Sequence, residues 1–544
     1  MSVKTFFDKK NITGIVISFL FSYALIVGYL CQNNLYSFIS AKVILSFLLV
    51  WVLSYVFFIL SWKALGSLDK KKETKKELSK PLLIFLISFA IIILGYIPYF
   101  IITYPGMFTY DAGSEFVQIW YDEVPVNAMF SIVHSLILKA TCKIGMSIFG
   151  NFNSGIAIFT VIHMILCSLT FSYESLLIYK ITRSKILLAI SIAYFMLSPT
   201  IAIFAICPHS TVFGSALAMG LLLQFYELFI AQNKSKKSIY ILRLCAFAAT
   251  AMLACNTRKS YTALIGILFV VQLFIEKKRL FRTVYFAAVL AMVFGFNTGI
   301  EKVYKAEKNP STELMSVPVQ ELANVYVKSN GNSFDEEEME ILLKYYAEGH
   351  FQLYCPWCAD LIKIGLNKDE FKNNPIPFYK LWIKKGIQNP LMYAEAWNYL
   401  TYEAWYPFCE PDGYVHQNLV LDGDAGKFKN DYIRIIHESP SEHVNNFPSL
   451  FDKIKKFGTD SEIHKIPIVG QIATIGYQYL FLLYAIGFGI YNRKKGVSLL
   501  MGAVLAYFVV SLFAPIVLVR YHLLMFYSFP LTLSSLFEKT AKEK

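Results

Sequence analysis

The chain has 544 residues, of which 56% are hydrophobic and 16% charged, and its mean hydropathy is +0.48. This composition excludes a soluble enzyme built on one large core and fits an integral membrane protein. The formal net charge of +13 would suit nucleic acid in a soluble domain; here Lys- and Arg-rich cytoplasmic loops explain it, and no nucleic-acid partner is expected.

Apolar runs of spanning length, about 17–25 residues, occur near 13–31, 41–62, 81–102, 154–179, 186–206, 211–231, 240–255, 260–275, 283–299, 473–491, 497–519 and 521–537. The first has no small-residue cleavage site and is followed at once by a second, so it is expected to stay as a membrane helix. The expectation is an α-helical integral membrane protein with about twelve transmembrane helices and both termini inside. After the third run, Tyr104-Pro105-Gly106 breaks the helix. The loop 103–128 carries Asp111, Glu115, Asp122 and Glu123 but no Lys or Arg. Asp111 and Glu115, four apart, share one face of a helix that begins at Ala112. Asp111 also suits the cap of that helix. The stretch 130–149 is moderately apolar and bears His134, Lys139 and Lys143, which suits a helix lying in the interface rather than crossing it.

Charge supports that choice. With the N-terminus inside, the 63–80 loop with its seven lysines is inside, and so are 180–185, 232–243, 276–282, 492–496 and the tail 538–544. If 130–149 crossed, every later cationic loop would move outside. The arrangement divides the chain into an N-terminal membrane region, 1–299, an extracytoplasmic domain, 300–472, and C-terminal helices with a tail, 473–544. The outer domain is expected to be mostly α, with helical spacing over 339–346 and 378–387. It is too long for a plain connector.

Two outer turns break the charge rule: Arg258-Lys259 between the seventh and eighth runs, and Arg520-Tyr521 between the last two. Cations at that depth suit an anionic partner, because Arg binds phosphate through two parallel hydrogen bonds and Lys as a point charge. Snorkelling to lipid headgroups is the plainer alternative. Hard cations take carboxylate oxygens, so Asp111 and Glu115, with His134 as a third group, suit a metal, but nothing in the sequence demands one. Nine cysteines are present. Six lie in or beside apolar runs and read as packing residues. Cys355-Pro356-Trp357-Cys358 has the spacing of a redox pair but lacks the strand–helix–strand surroundings of one; a local disulfide or structural cysteines are the preferred readings.

Several motifs follow one another from about 100 to 525. They are Tyr104-Pro-Gly-Met-Phe-Thr-Tyr-Asp111, His134-Ser-Leu-Ile-Leu, Phe149-Gly-Asn-Phe-Asn-Ser-Gly155, Arg258-Lys259, Ser316-Val-Pro-Val-Gln320, Ala359-Asp-Leu-Ile-Lys363, Glu403-Ala-Trp-Tyr-Pro407 and Arg520-Tyr521. In this order they resemble the GT-C class of polytopic glycosyltransferases, and more closely one bacterial branch with that pattern. The resemblance implies a polyprenyl-phosphate-linked sugar as donor and an exported glycopolymer or glycolipid as acceptor. It implies transfer with inversion on the outer face of the cell membrane. Under it Asp111 is the base and Glu115 its helper or a metal ligand. Arg258, Lys259, Arg520 and Tyr521 hold the donor phosphate, His134 and Gln320 are candidate substrate contacts, and a divalent cation such as Mg or Mn is left open as cofactor. Rival readings are a flippase or transporter of lipid-linked glycans, a glycan polymerase or ligase, and a non-catalytic scaffold.

Overall fold

The computed structural model describes residues 9–35, 38–68, 80–107, 112–120, 124–231, 236–275, 279–307, 315–347, 349–409, 446–459, 466–467, 469–494 and 496–538. Among them the protein is all-α, with no strand beyond two isolated bridges. It is a multi-pass membrane protein. Eight described helices are long and apolar enough to cross a bilayer. These are α1 (Lys9–Gln32), α2 (Ala41–Leu68), α3 (Pro81–Ile102), α5 (Ile132–Phe149), α6 (Phe152–Thr182), α9 (Ser210–Phe225, prolonged by a π turn Tyr226–Ile230), α10 (Lys237–Thr257) and α12 (Arg279–Val303). Between α3 and α5 lies the short α4 (Ala112–Trp120). A ninth span is reached if α7 (Lys185–Leu197) and α8 (Pro199–Ala205), bent by 60° at Ser198-Pro199, count as one.

The remaining expected spans are shorter or broken. Helix α11 (Tyr261–Leu273) has 13 residues. The last three runs become α21 (Ile475–Tyr491), α22 (Gly496–Ser511) and two pieces, α23 (Leu523–Tyr527) and α24 (Phe529–Ser535). Pro530 sits at the start of α24, where its missing N–H costs nothing, and it ends the continuous run. The run expected over 497–519 stops at Ser511, and 512–518 forms a non-helical strap. Helix α5 meets the same length and apolarity criterion as the spans, so composition alone does not set it apart from them.

Contacts gather at two opposite ends of the bundle. At one end Asn492 packs on Trp62 and Gly66, Lys180 pairs with Glu227 at 2.9 Å, and Lys494 Nζ donates to the Glu538 carbonyl at 2.8 Å. At the other end the loop after α3 is pinned twice. Thr160 Oγ1 donates to the Pro105 carbonyl at 2.9 Å, and Met107 N donates to the Ile206 carbonyl at 3.0 Å. Gly106, at φ +153°, fits only as glycine, because a Cβ there would lie 2.7 Å from Thr160 Oγ1 and 3.0 Å from the Ile206 carbonyl oxygen. Helices α5 and α6 form a hairpin through Gly150, left-handed at φ 72°, and Asn151, whose side chain caps α6. Gly145 and Gly155 let the two backbones touch.

The second core belongs to the segment that follows α12. It is built by α13 (Ser316–Ser329), α14 (Glu336–Tyr345), α15 (Asp360–Ile364), α16 (Lys368–Asn373) and α17 (Pro375–Gln388), around Leu322, Leu342, Ile362 and Phe378. Helix α14 opens with a complete capping box between Asp335 and Glu338. The next helix, α18 (Pro390–Trp405), ties this core to the bundle: Tyr23 on α1 donates to Asn398 Oδ1 at 2.6 Å. Two further helices, α19 (Pro448–Thr459) and α20 (Val469–Ile472), complete the described chain.

Candidate functional site

A cleft of about 220 Å³ opens at the end of the bundle where α3, α8, α10 and α12 finish. Arg258, Lys259, Arg520, Tyr521 and Glu115 all line it. Residues 262 positions apart therefore meet, because α10 and the strap before α23 end at the same level.

The positive wall is built around Tyr521. The Arg258 guanidinium lies 4.4 Å from the Tyr521 ring centroid and that of Arg520 lies 5.3 Å from it. Arg258 Nε donates to Ser260 Oγ at 2.8 Å and its Nη1 to Thr211 Oγ1 at 2.6 Å. These are neutral partners, and Arg258 makes no ion pair among the described residues. Among the described residues its partners hold the guanidinium in place with neutral hydroxyls, which suits recognition of an anion. Lys259 differs: its Nζ donates to the Ala128 carbonyl at 2.7 Å and pairs with Glu301 at 2.5 Å. It closes the lip of the cleft and spends its charge there.

Glu115 forms the floor and is 1% exposed. Its Oε2 accepts from Ser210 N at 3.0 Å and lies 3.1 Å from His134 Nδ1. Its Oε1 accepts from Ser210 Oγ and lies 3.7 Å from His209 Nε2. Burial alone would raise the pKa of this carboxyl. His209 and His134, which face its two oxygens, together with hydrogen bonds from His134 and Ser210, outweigh it and hold the Glu115 carboxyl well below the usual carboxylate range. The carboxylate also sits on the first N–H of α9, where a helix favours negative charge. Ser210 donates to both carboxylate oxygens, and His134 and His209 face them.

His209 is the main residue that sequence reasoning missed. Its Nδ1 accepts from Thr211 N at 3.0 Å, capping α9, and its Nε2 lies 3.7 Å from Glu115 Oε1. The same Nε2 lies 3.4 Å from Arg520 Nη1, so His209 stands between the carboxylate and a guanidinium that is 3% exposed. The available signal was the interruption Cys207-Pro208-His209 inside the apolar stretch 186–231. Glu301, Ser131, Asn256 and Asn297 also line the cleft and were not foreseen.

His134 is completely buried behind the floor, packed on Phe159 at 4.9 Å between ring centroids, and does not face the cleft. Gln320 stands apart on α13: its amide donates to the carbonyls of Cys355, at 2.6 Å, and Pro356, at 3.0 Å. It braces a turn there and does not line the cleft. Asp111, Asp122 and Glu123 lie outside the described residues. Among the described residues no group of three His, Cys, Asp or Glu side chains is arranged to hold a metal ion. The metal set built on Asp111 therefore falls outside them.

A family model described as a family of unknown function (DUF6020) matches residues 122–544. The chain belongs to this family. The matched region contains every cleft-lining residue except Glu115, whose helix precedes it. No curated protein and no solved structure compared with the chain matches it.

Proposed function

We propose that this family member is a membrane glycosyltransferase, moving a sugar from a polyprenyl-phosphate donor to an exported glycopolymer or glycolipid at the outer face of the membrane. One observation carries the reading: Arg258 and Arg520 flank Tyr521 in a single cleft at the level where the helices leave the apolar layer. As the bond from the anomeric carbon to the donor oxygen breaks, the departing polyprenyl phosphate gains negative charge. Fixed cations there favour the transition state over the bound donor. Asp111, which directly precedes α4 in the chain, is the proposed base for the acceptor hydroxyl, a role the GT-C resemblance suggests.

The proposed topology has twelve crossings: α1, α2, α3, α6, the pair α7–α8, α9, α10, α11, α12, α21, α22 and the pair α23–α24. Two facts support it. These elements alternate between the two contact-rich ends of the bundle. The end at Asn492 and Lys180 is also where the lysine-rich loops emerge, which marks it as cytoplasmic. Helix α5 stays out of the count. Its first residues meet α4, the start of α9 and the end of α10, through Glu115 and through Ser131 Oγ on the Asn256 carbonyl at 2.6 Å. From there it runs beside the part of α6 that extends beyond Thr160, the residue level with the end of α3.

The test is the surface-glycan composition of cells carrying Arg258→Gln or Asp111→Asn, with protein abundance measured alongside. Loss of one sugar from a glycopolymer at normal abundance is expected. Unchanged glycans in both variants would sink the reading. An introduced cysteine at Asn332 should react with an impermeant reagent in intact cells and one at Ser67 should not; the reverse pattern would overturn the topology.

A second reading, a carrier of lipid-linked glycans, draws on His163 and Glu174, both fully buried within α6. Glu174→Gln separates the two: a carrier loses function and a transferase keeps it.

A further inference from the structure

The turn Cys355-Pro356-Trp357-Cys358 is a tight one. Cys358 N donates to the Cys355 carbonyl at 3.2 Å, and the two cysteines form an isolated antiparallel bridge. Antiparallel bridge partners have Cα atoms roughly 4.5–5.5 Å apart with side chains on the same side. A disulfide takes Cα separations of roughly 4.4–6.8 Å. The backbone therefore already has the spacing of a cystine. Gln320 holds the turn in that shape through two of its carbonyls.

The turn is docked, not exposed. Ala359 N donates to the Pro515 carbonyl at 2.8 Å, and Cys358 packs on Ile516 and Leu518, with Cys355, Trp357 and Tyr521 against the same cluster. The strap 512–518 leads directly into Arg520 and Tyr521, the two residues that build the positive wall.

We propose that Cys355 and Cys358 are joined by a disulfide that locks this turn against the strap and so fixes Tyr521 between the two arginines. The inference rests on the outer-face topology proposed above, since a disulfide persists in an oxidising compartment. In forming it, the two thiols lose two protons and two electrons and gain one Sγ–Sγ bond. A dithiol–disulfide oxidant at the outer face accepts the electrons and is reduced to its dithiol. Cys358 is 1% exposed, and burial raises its thiol pKa to about 11. A sulfur so shielded resists later exchange, which marks the bond as structural rather than a shuttling redox pair.

The experiment has two readouts on full-length protein in native membranes. First, thiols are alkylated before and after reduction, and the peptide bearing both cysteines is weighed. The expected product is two hydrogens lighter than the dithiol and takes label only after reduction; labelling of both thiols without reductant overturns the bond. Second, amide exchange over 515–522 is followed with and without a phosphine reductant. Exchange about tenfold faster after reduction is expected, and an unchanged rate overturns the lock. Cys355→Ser with Cys358→Ser repeats the second measurement without reductant. Neither readout depends on glycosyl transfer, and the label at Asn332 reports separately whether the topology itself has failed.

Discussion

Replacing Glu115 by Gln tests the floor of the cleft most directly. The side chain keeps its shape, but one acceptor oxygen becomes an amide that can only donate. In one orientation that amide meets Ser210 N–H, 3.0 Å from Oε2, and His134; in the other it meets Ser210 Oγ, with His209 Nε2 3.7 Å beyond. Either way at least one charge-assisted contact is lost in a site that is 1% exposed. Hydrogen bonds to a charged group contribute about 1.5–3 kcal/mol each, and breaking a buried ionic network costs about 3–5 kcal/mol. The depressed pKa of the Glu115 carboxyl points the same way: ionisation of this group stabilises the folded state at neutral pH. Because the folded pKa is the lower one, this stability is fully present above pH 4.5 and is lost as pH falls toward 2. Equilibrium unfolding of purified wild type and Glu115→Gln in detergent should therefore differ by about 3–5 kcal/mol at pH 7, with the gap closing on acidification below pH 4.5. A gap under about 1 kcal/mol at pH 7, or one indifferent to pH, would refute the reasoning.

Four further outcomes are expected. Gly155→Ala places a Cβ 2.4 Å from the Cys142 Cα, a backbone atom that cannot swing away, and should cost at least about 1–3 kcal/mol in thermal unfolding. Gly266→Ala, with nothing within 4 Å, should instead be neutral or stabilising by up to about 1 kcal/mol; equal effects would show that the hairpin is not closely packed. Arg258→Lys keeps the charge but loses the fork onto Ser260 and Thr211 and the stack on Tyr521. It should weaken binding of polyprenyl monophosphate by about tenfold in a titration, and an unaltered affinity would remove Arg258 from the clamp. Glu321, buried beside Trp382, has its pKa pushed up to about 7 by burial against the hydrogen bond from Trp382 Nε1. Its folded pKa exceeds the unfolded one, so the outer segment should lose stability as pH rises from 4.5 to 7. Glu321→Gln should abolish that slope in amide exchange of α13 and α17, and a persisting slope would assign it elsewhere.

Local signals gave away much of the fold. Tyr104-Pro105-Gly106 ends α3 at Ile102, and the next helix begins at Ala112, because proline and glycine act on the backbone where they stand. Helix α5 and the corner at Gly150 follow from Ser131, Gly150 and Asn151, each a cap or turn residue in its own place. The twists within expected spans were harder to foresee. Ser198-Pro199 and Ser528-Phe529-Pro530 break runs that are apolar throughout, and a hydropathy pattern is insensitive to a change of direction. In the site, Arg258, Lys259 and Arg520 stood out because cations are out of place in turns expected on the outer side. His209 did not, since a neutral side chain breaks no charge rule.

Composition by itself determined the helical class and the apolar character of the long helices, because each is a sum over residues and does not depend on who the neighbours are. Only the tertiary structure decided that Arg258 and Arg520 share the Tyr521 ring, that Lys259 is spent on Glu301, and that Glu115 is ringed by His134, His209 and Ser210. Those pairings depend on where α9, α10 and the strap before α23 end relative to one another. That level is set by helix packing between segments up to hundreds of residues apart, and no local stretch of sequence encodes it.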